Sequence, residues 1–130
     1  MAAPRTLQKT ARRSATRNGA DAKFRAFSDP TRLRILHLLQ TGEMCVGDLV
    51  KIIQVPQPTA SRHLAYLRRA GLVVTRKDGL WTHYSLAPAE NTFHSKLLEC
   101  LTHCFDEVRE LKTDAARAAK LRQTGSCCPR

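Results

Sequence analysis

The chain has 130 residues, and 22 Lys and Arg against 11 Asp and Glu give it a formal charge of +11. This length suits one domain with a modest core, and the charge favours a polyanionic partner. No apolar run approaches the roughly 20 residues needed to cross a bilayer, and the N-terminus lacks the apolar segment of a secretory signal. We therefore expect a cytoplasmic protein that does not bind membranes.

The five cysteines and the few aromatic residues limit the kinds of binding or catalytic site that the chain can form. Disulfides are uncommon in the cytoplasm, so the cysteines are expected to be thiols, metal ligands or redox groups. A low aromatic content disfavours stacking of nucleobases on an aromatic platform. The chain has no Ser-His-Asp order, no paired carboxylates in a cleft-like context and no phosphate-binding glycine loop. We therefore do not expect an enzyme.

The N-terminal residues 1–20 contain five Lys or Arg and no acid. Such a composition cannot bury enough apolar surface to fold, so it predicts a disordered basic tail. A short amphipathic segment follows over 22–27. Ser28 or Asp29 is a candidate N-cap for a largely buried helix over 31–40, which a proline opens.

Two further helical patterns follow, joined by a tight turn at Val55-Pro56-Gln57. The first has apolar residues at helical spacing, Val46, Leu49, Val50 and Ile53. The second starts at Pro58, is followed by Gly71 as a C-cap signal, and has the stripe Ala60, Leu64, Leu67 and Ala70. Two helices on a tight turn, the second one basic, are typical of a helix-turn-helix whose second helix reads DNA.

A β-hairpin is predicted directly after this recognition helix. Residues 72–75 form a short run with three β-branched side chains and are predicted to be a strand, and Leu80–Leu86 returns as a second strand. Asp78-Gly79 favours a type I′ turn, because that turn needs positive φ at both central positions. A helix-turn-helix followed by such a hairpin is the winged arrangement.

Charge on this segment indicates what it binds. Between Pro56 and Lys77 there are five cations and no acid, namely Arg62, Arg68, Arg69, Arg76 and Lys77. We expect the first turns of the recognition helix to face base edges, through Gln57, Thr59, Ser61, Arg62 and His63. The wing cations Arg76 and Lys77 are expected to meet phosphates.

The last part of the chain has a strongly apolar helical stripe, formed by Phe93, Leu97, Leu101, Phe105, Val108 and Leu111. This stripe is a candidate dimer interface, because palindromic DNA sites favour two-fold symmetric readers. Thr113-Asp114 is a candidate N-cap for a separate short helix over 115–122. The predicted organisation is therefore a tail over 1–20, a DNA-binding and dimerisation domain over 21–112, and a helix with a cysteine-containing tail over 113–130.

Four blocks in order, FSDPTRLRILHLL, GEMCVGDL, QPTASRHLAYLRRAGLV and RKDGLWTHYSL, resemble the ArsR/SmtB family of bacterial metal-sensing repressors. The resemblance covers roughly residues 21–111 and is greatest to its arsenic-sensing branch. It implies a mainly α fold with a small β-hairpin, a winged helix-turn-helix, dimerising through terminal helices. It also implies a homodimer that binds double-stranded operator DNA near its own promoter and is released by a metal or metalloid ion.

The cysteine pattern departs from the arsenic-sensing motif. That motif has two or three cysteines, whereas this chain keeps only Cys45, with Gly47 and Val50 at the other positions. A trivalent arsenic ion is soft and needs three thiolates, so the inducer site is expected elsewhere or shared. Cys100 and Cys104 lie on one helix face, and Cys127 and Cys128 form a vicinal pair.

We therefore predict an arsenite site built from Cys104, Cys127 and Cys128, with Cys100 as the substitute third ligand. An unbroken helix from Cys104 to Arg122 would rise about 27 Å, too far for the tail to return. The helix must then break near Thr113 and fold back, or the tail must reach the other subunit. Antimonite, methylarsenite or a soft divalent metal are alternative inducers.

Three other functions are also compatible with the sequence. A repressor of the same fold could sense Zn(II), Cd(II) or Pb(II) through His94, His103 and Asp106. A redox switch could oxidise Cys127-Cys128 or Cys100-Cys104. A thiol-rich metal-buffering protein would bind metal without any affinity for an operator.

Overall fold

A computed structural model describes residues 19–125. Almost all of the predicted basic tail, together with Cys127 and Cys128, lies outside the described residues. Within these residues there are six helices and three strands, in the order α1 (Ala20–Phe27), α2 (Pro30–Leu39), β1 (Met44–Cys45), α3 (Val46–Ile53), α4 (Gln57–Arg69), β2 (Val73–Asp78), β3 (Trp81–Leu86), α5 (Thr92–His103) and α6 (Arg109–Thr124). The fold is a winged helix-turn-helix, as the sequence predicted.

Local signals account for the start of α2 and for the helix-turn-helix. The Asp29 carboxylate accepts a hydrogen bond from the Arg32 backbone N–H at 3.0 Å, which confirms the predicted N-cap. On α4 the apolar stripe of Ala60, Leu64 and Leu67 is fully buried. Leu64 and Leu67 join one hydrophobic core with residues of α1, α2, α3, α5 and α6.

The wing differs from the prediction at its tip and in its number of strands. Asp78 pairs with Trp81, so the loop is Gly79-Leu80 and not Asp78-Gly79. Gly79 has φ +63° whereas Leu80 does not have a positive φ, which is the pattern of a type II′ turn, so the type I′ prediction was wrong. The short strand β1 also pairs with β3, with Cys45 opposite His83, and makes a three-stranded sheet.

The predicted continuous C-terminal stripe is interrupted. Helix α5 ends at His103, and α6 begins at Arg109. Leu101 and Leu111 are buried in the chain's own core, whereas Val108 in the connection is 36% exposed. The stripe therefore does not form one face along one helix.

The predicted N-cap at Thr113-Asp114 was wrong, because both residues lie inside α6. Asp114 is fully buried and accepts two hydrogen bonds from the Arg34 guanidinium, at 2.8 and 2.9 Å. This ion pair fastens α6 to α2. Helix α6 thus folds back across the domain.

Candidate nucleic-acid interface and thiol sites

Helix α4 presents a basic outer face beside the wing. Arg62, Arg68 and Arg69 are exposed, as are the predicted contact residues Gln57 and Ser61. Predicted contact residue Thr59 is half-buried. Because the apolar side of α4 is buried, its exposed polar side chains project from the opposite face.

A cleft of about 390 Å³ separates α4 from the wing. Ser61, Arg68, Arg69 and Tyr84 line it together with Ala65. Two guanidinium groups beside hydroxyl donors are suited to phosphate oxygens. The sequence had marked Arg68 and Arg69 only as part of the acid-free cationic run, and the cleft singles them out as further candidate DNA contacts.

Two of the predicted DNA contacts are engaged within the chain. His63 is half-buried, with Nε2 3.8 Å from Asp29 Oδ2 and Nδ1 3.5 Å from the Arg32 guanidinium. Arg76 donates two hydrogen bonds to the Glu43 carboxylate, at 2.7 and 2.9 Å. Lys77 is exposed near the wing tip. The wing is therefore tied through Arg76 to the residue just before β1.

Cys100 and Cys104 lie one helical turn apart at the end of α5. Both have free thiols, with Cys100 half-buried and Cys104 exposed. A side-chain hydrogen bond with Cys104, followed by burial, raises the pKa of the Cys100 thiol. The predicted pairing of these two sulfurs on one face is therefore present. Together they provide two sulfur ligands, whereas a trivalent arsenic ion needs three.

Cys45 occupies a different environment. It is 2% exposed, is the N-cap residue of α3, and lies in β1 opposite His83 of the wing. Its sulfur is disulfide-bonded. Sequence reasoning had set Cys45 aside because its motif lacks the companion cysteines, whereas the fold puts it where the helix-turn-helix and the wing meet.

The histidines considered for a divalent metal do not converge. His94 is fully buried, and its Nδ1 accepts a hydrogen bond from the Glu90 N–H at 3.1 Å. Burial, followed by the Lys23 ammonium, lowers the pKa of His94. Within residues 19–125, no three His, Cys, Asp or Glu side chains gather closely enough to hold a metal ion.

Comparison with known proteins identifies the architecture. Residues 29–75 match the family described as "Bacterial regulatory protein, arsR family". The chain is 42% identical over 85 residues to the arsenical resistance operon repressor of Escherichia coli K12, covering 65% of this chain and 73% of that protein. The chain belongs to the arsR family. Regulators of this family are transcription factors that bind operator DNA, and the family is not enzymatic.

Other relatives of this arsR-family regulator are named for different roles. It is 39% identical over 88 residues to the transcriptional activator HlyU of Vibrio cholerae, covering 68% of this chain and 79% of that one. The solved structure of reduced HlyU superposes with a TM-score of 0.61 at 33% identity, over 77% of this chain and 99% of that one. A cadmium resistance regulatory protein CadC homolog of Staphylococcus aureus is 44% identical over 64 residues, covering 48% of this chain and 53% of that protein.

No helix in the described part of this arsR-family regulator has the length and apolarity needed to cross a bilayer. The basic face of α4, the adjoining cleft and the wing are the surface suited to DNA. Among the described residues, the free thiols of Cys100 and Cys104 lie at the end of α5, and disulfide-bonded Cys45 lies at the start of α3.

Proposed function

We propose that this regulator is a cytoplasmic repressor that leaves its operator when trivalent arsenic binds its cysteine thiolates. The observation that carries the proposal is the position of Cys45 between α3 and the wing strand β3. Once the disulfide of Cys45 is reduced, a ligand held there would act directly on the wing strand, and on the recognition helix α4 through α3, which precedes it in the helix-turn-helix. Sulfur is the donor that soft trivalent arsenic prefers, and similarity to an arsenical resistance repressor supports the same inducer.

The ligand set predicted from the sequence, Cys104, Cys127 and Cys128 with Cys100 as substitute, is one hypothesis for the inducer site. Helix α6 has 16 residues and so spans about 24 Å, and Cys104 precedes its start. Two residues beyond Gly125 reach at most about 7 Å. This set is met within one chain only if the connection before α6 brings Cys104 back towards the end of that helix, and otherwise by the tail of a second subunit. Antimonite and methylarsenite share the thiol chemistry and are included in the proposal.

We also propose a homodimer through helices α1 and α5. Phe24 is 57% exposed and makes an edge-to-face contact with Phe93, with 5.1 Å between ring centroids. An exposed aromatic pair that joins two helices is suited to packing against its own copy. A two-fold dimer would present two α4 helices to two operator half-sites.

A thiol-redox-responsive regulator of the same fold is the second candidate, and the disulfide at Cys45 favours it. A regulator of Zn(II), Cd(II) or Pb(II) has less support, because His94 faces Lys23 and Glu90 in the chain's interior. Metal buffering without DNA binding is disfavoured by the family.

Fluorescence anisotropy of labelled DNA from upstream of the protein's own gene tests these functions. Reduced protein is titrated anaerobically with arsenite, and parallel samples receive cadmium or hydrogen peroxide. Arsenite should weaken DNA binding by about 5- to 150-fold, the range of ordinary allosteric coupling. The arsenic proposal fails if DNA stays bound through the arsenite titration. Release by peroxide alone would support the redox function, and release by cadmium alone the divalent-metal one.

A further inference from the structure

A cleft of about 290 Å³ lies between the C-terminal halves of α3 and α6. The described residues that line it include three cations, Lys51, Arg117 and Lys120, together with the polar side chains of Gln54 and Thr124. None of the described lining residues is an Asp or a Glu. The cleft therefore has the charge of a site for an anion.

Arg117 has a structural role at this cleft that does not use up the other two cations. Its guanidinium donates to the Ile52 carbonyl oxygen at 2.9 Å, and that of Arg34 donates to the Ile53 carbonyl oxygen at 3.2 Å. Both groups satisfy carbonyl oxygens that the end of α3 leaves without a helical partner. Their positive charges also offset the negative end of the α3 dipole, which would otherwise repel an anion.

Lys51 and Lys120 are the cations of the cleft that remain available. Both are exposed, and within residues 19–125 neither ammonium group forms an ion pair or a side-chain hydrogen bond. Arg76 of the wing, by contrast, is paired with Glu43. Like charges around one cleft repel each other, and an anion bound between them replaces that repulsion with attraction.

The cleft adjoins the start of the recognition helix. Gln54 ends α3 in the left-handed conformation, with φ 64°, and precedes Gln57, the first residue of α4, by three positions. Three residues span at most about 11 Å. In a helix-turn-helix the start of the second helix approaches base edges, while the first helix crosses the phosphate backbone. Helix α3, which forms one wall of the cleft, is that first helix.

We infer that this cleft, defined by Lys51, Arg117 and Lys120, binds a phosphate group of the DNA backbone beside the bases that α4 reads. The ammonium groups act on the phosphate oxygens as point charges, and such contacts position a protein on the duplex without reading its sequence. Helix α6 then belongs to the DNA-binding surface together with α4 and the wing. The inference depends on DNA binding by the family and not on the proposed response to arsenic.

The salt dependence of DNA binding tests this contact in the full-length reduced protein. Lys51→Gln and Lys120→Gln each remove one charge from the cleft. Lys112→Gln is the matched control, because it removes the same charge from an exposed position of α6 that does not line the cleft. Fluorescence anisotropy with a random-sequence duplex is measured between about 50 and 200 mM salt.

Each cleft variant should lower the slope of log affinity against log salt by about 1 for every phosphate contact that is lost. The control should keep the slope of wild type. The inference is overturned if Lys51→Gln and Lys120→Gln change the slope no more than Lys112→Gln does. Because phosphate contacts do not depend on sequence, this result holds whichever operator the protein recognises.

A scan of single neutral methylphosphonate linkages along DNA from upstream of the protein's own gene locates the contact. At the phosphate bound by the cleft, the neutral linkage should weaken binding of wild type and of Lys112→Gln. It should not weaken binding of Lys120→Gln, which has already lost that attraction. A smaller slope without any such position would mean that the lysines act only through the general field of the protein, and the cleft would not be a phosphate site.

A small phosphorylated molecule presents the same oxygens, so inorganic pyrophosphate is tested separately. Its effect on thermal unfolding is compared between wild type, Lys120→Gln and Lys112→Gln. Stabilisation that is lost only in Lys120→Gln, with the DNA slopes of both cleft variants unchanged, would identify the cleft as a site for a free phosphate compound. That outcome would overturn the inferred DNA contact.

Discussion

Arg34 and Asp114, which are 80 positions apart, form a buried bidentate ion pair that holds α6 against α2. The Asp114 side chain is 1% exposed and that of Arg34 is 17% exposed. Favourable interaction with Asp114 raises the pKa of Arg34 above its ordinary value. Loss of one partner would leave the other charge buried without compensation.

Asp114→Ala should therefore lower the free energy of unfolding by about 3 kcal/mol, the lower end of the range for breaking a buried pair. Chemical denaturation followed by circular dichroism measures it. Glu99→Ala is the matched control, because Glu99 pairs with Lys96 at an exposed site and its loss should cost less than about 1 kcal/mol. Equal effects of the two substitutions would contradict the structural role of Asp114.

Arg62→Ala should weaken binding to operator DNA more than binding to random DNA. A side chain that reads base edges contributes about 1–3 kcal/mol of discrimination, and Arg62 is exposed on the first half of α4. Anisotropy on both DNAs measures the difference. Lys77→Ala should weaken both about equally and reduce the salt dependence. Equal losses on both DNAs for Arg62→Ala would make Arg62 a phosphate contact.

Phe24→Glu should convert the proposed dimer to monomer. A carboxylate on this exposed aromatic patch would be placed near the same carboxylate of the second subunit and would lose the apolar contact. Sedimentation velocity detects the change, and operator affinity should fall with it. Val74→Glu adds the same charge at a 42% exposed apolar residue of the wing and should leave the mass unchanged. An unchanged mass for Phe24→Glu would place the interface elsewhere.

Stability should fall as the pH drops below about 6.5, the ordinary pKa of histidine. Burial lowers the pKa of His94 in the folded state, so the unfolded chain takes up protons first as the pH decreases. The stabilisation is therefore complete above the unfolded pKa and is lost towards the folded pKa. Burial likewise lowers the pKa of His37, so it adds to the same trend.

His94→Asn should reduce this pH dependence, because asparagine has an oxygen that can accept from the Glu90 N–H but does not titrate. Urea unfolding at pH 7.5, 6.5 and 5.5 compares the slopes of wild type and variant. The variant is expected to be less stable at pH 7.5, since it removes buried volume. A slope identical to that of wild type would mean that His94 does not carry the effect.

Local patterns were sufficient for most of the fold. The cap at Asp29, the stripe of Ala60, Leu64 and Leu67, and the hairpin all follow from spacing over a few residues, where backbone geometry sets the period. The acid-free run of cations in the same segment predicted a DNA-binding face. These features together are sufficient to predict the winged helix-turn-helix.

Only the tertiary structure decided how the C-terminal third packs back on α2 and α3, and how Cys45 is separated from the pair of Cys100 and Cys104. The break between His103 and Arg109, the two-residue strand at Cys45 and the Arg34–Asp114 pair depend on contacts between distant segments. Such contacts leave no periodic signature, because their free energy comes from packing and charge pairing across the chain. The sequence by itself therefore determined the DNA-binding fold, whereas contacts between distant segments decided how α6 packs against α2 and α3.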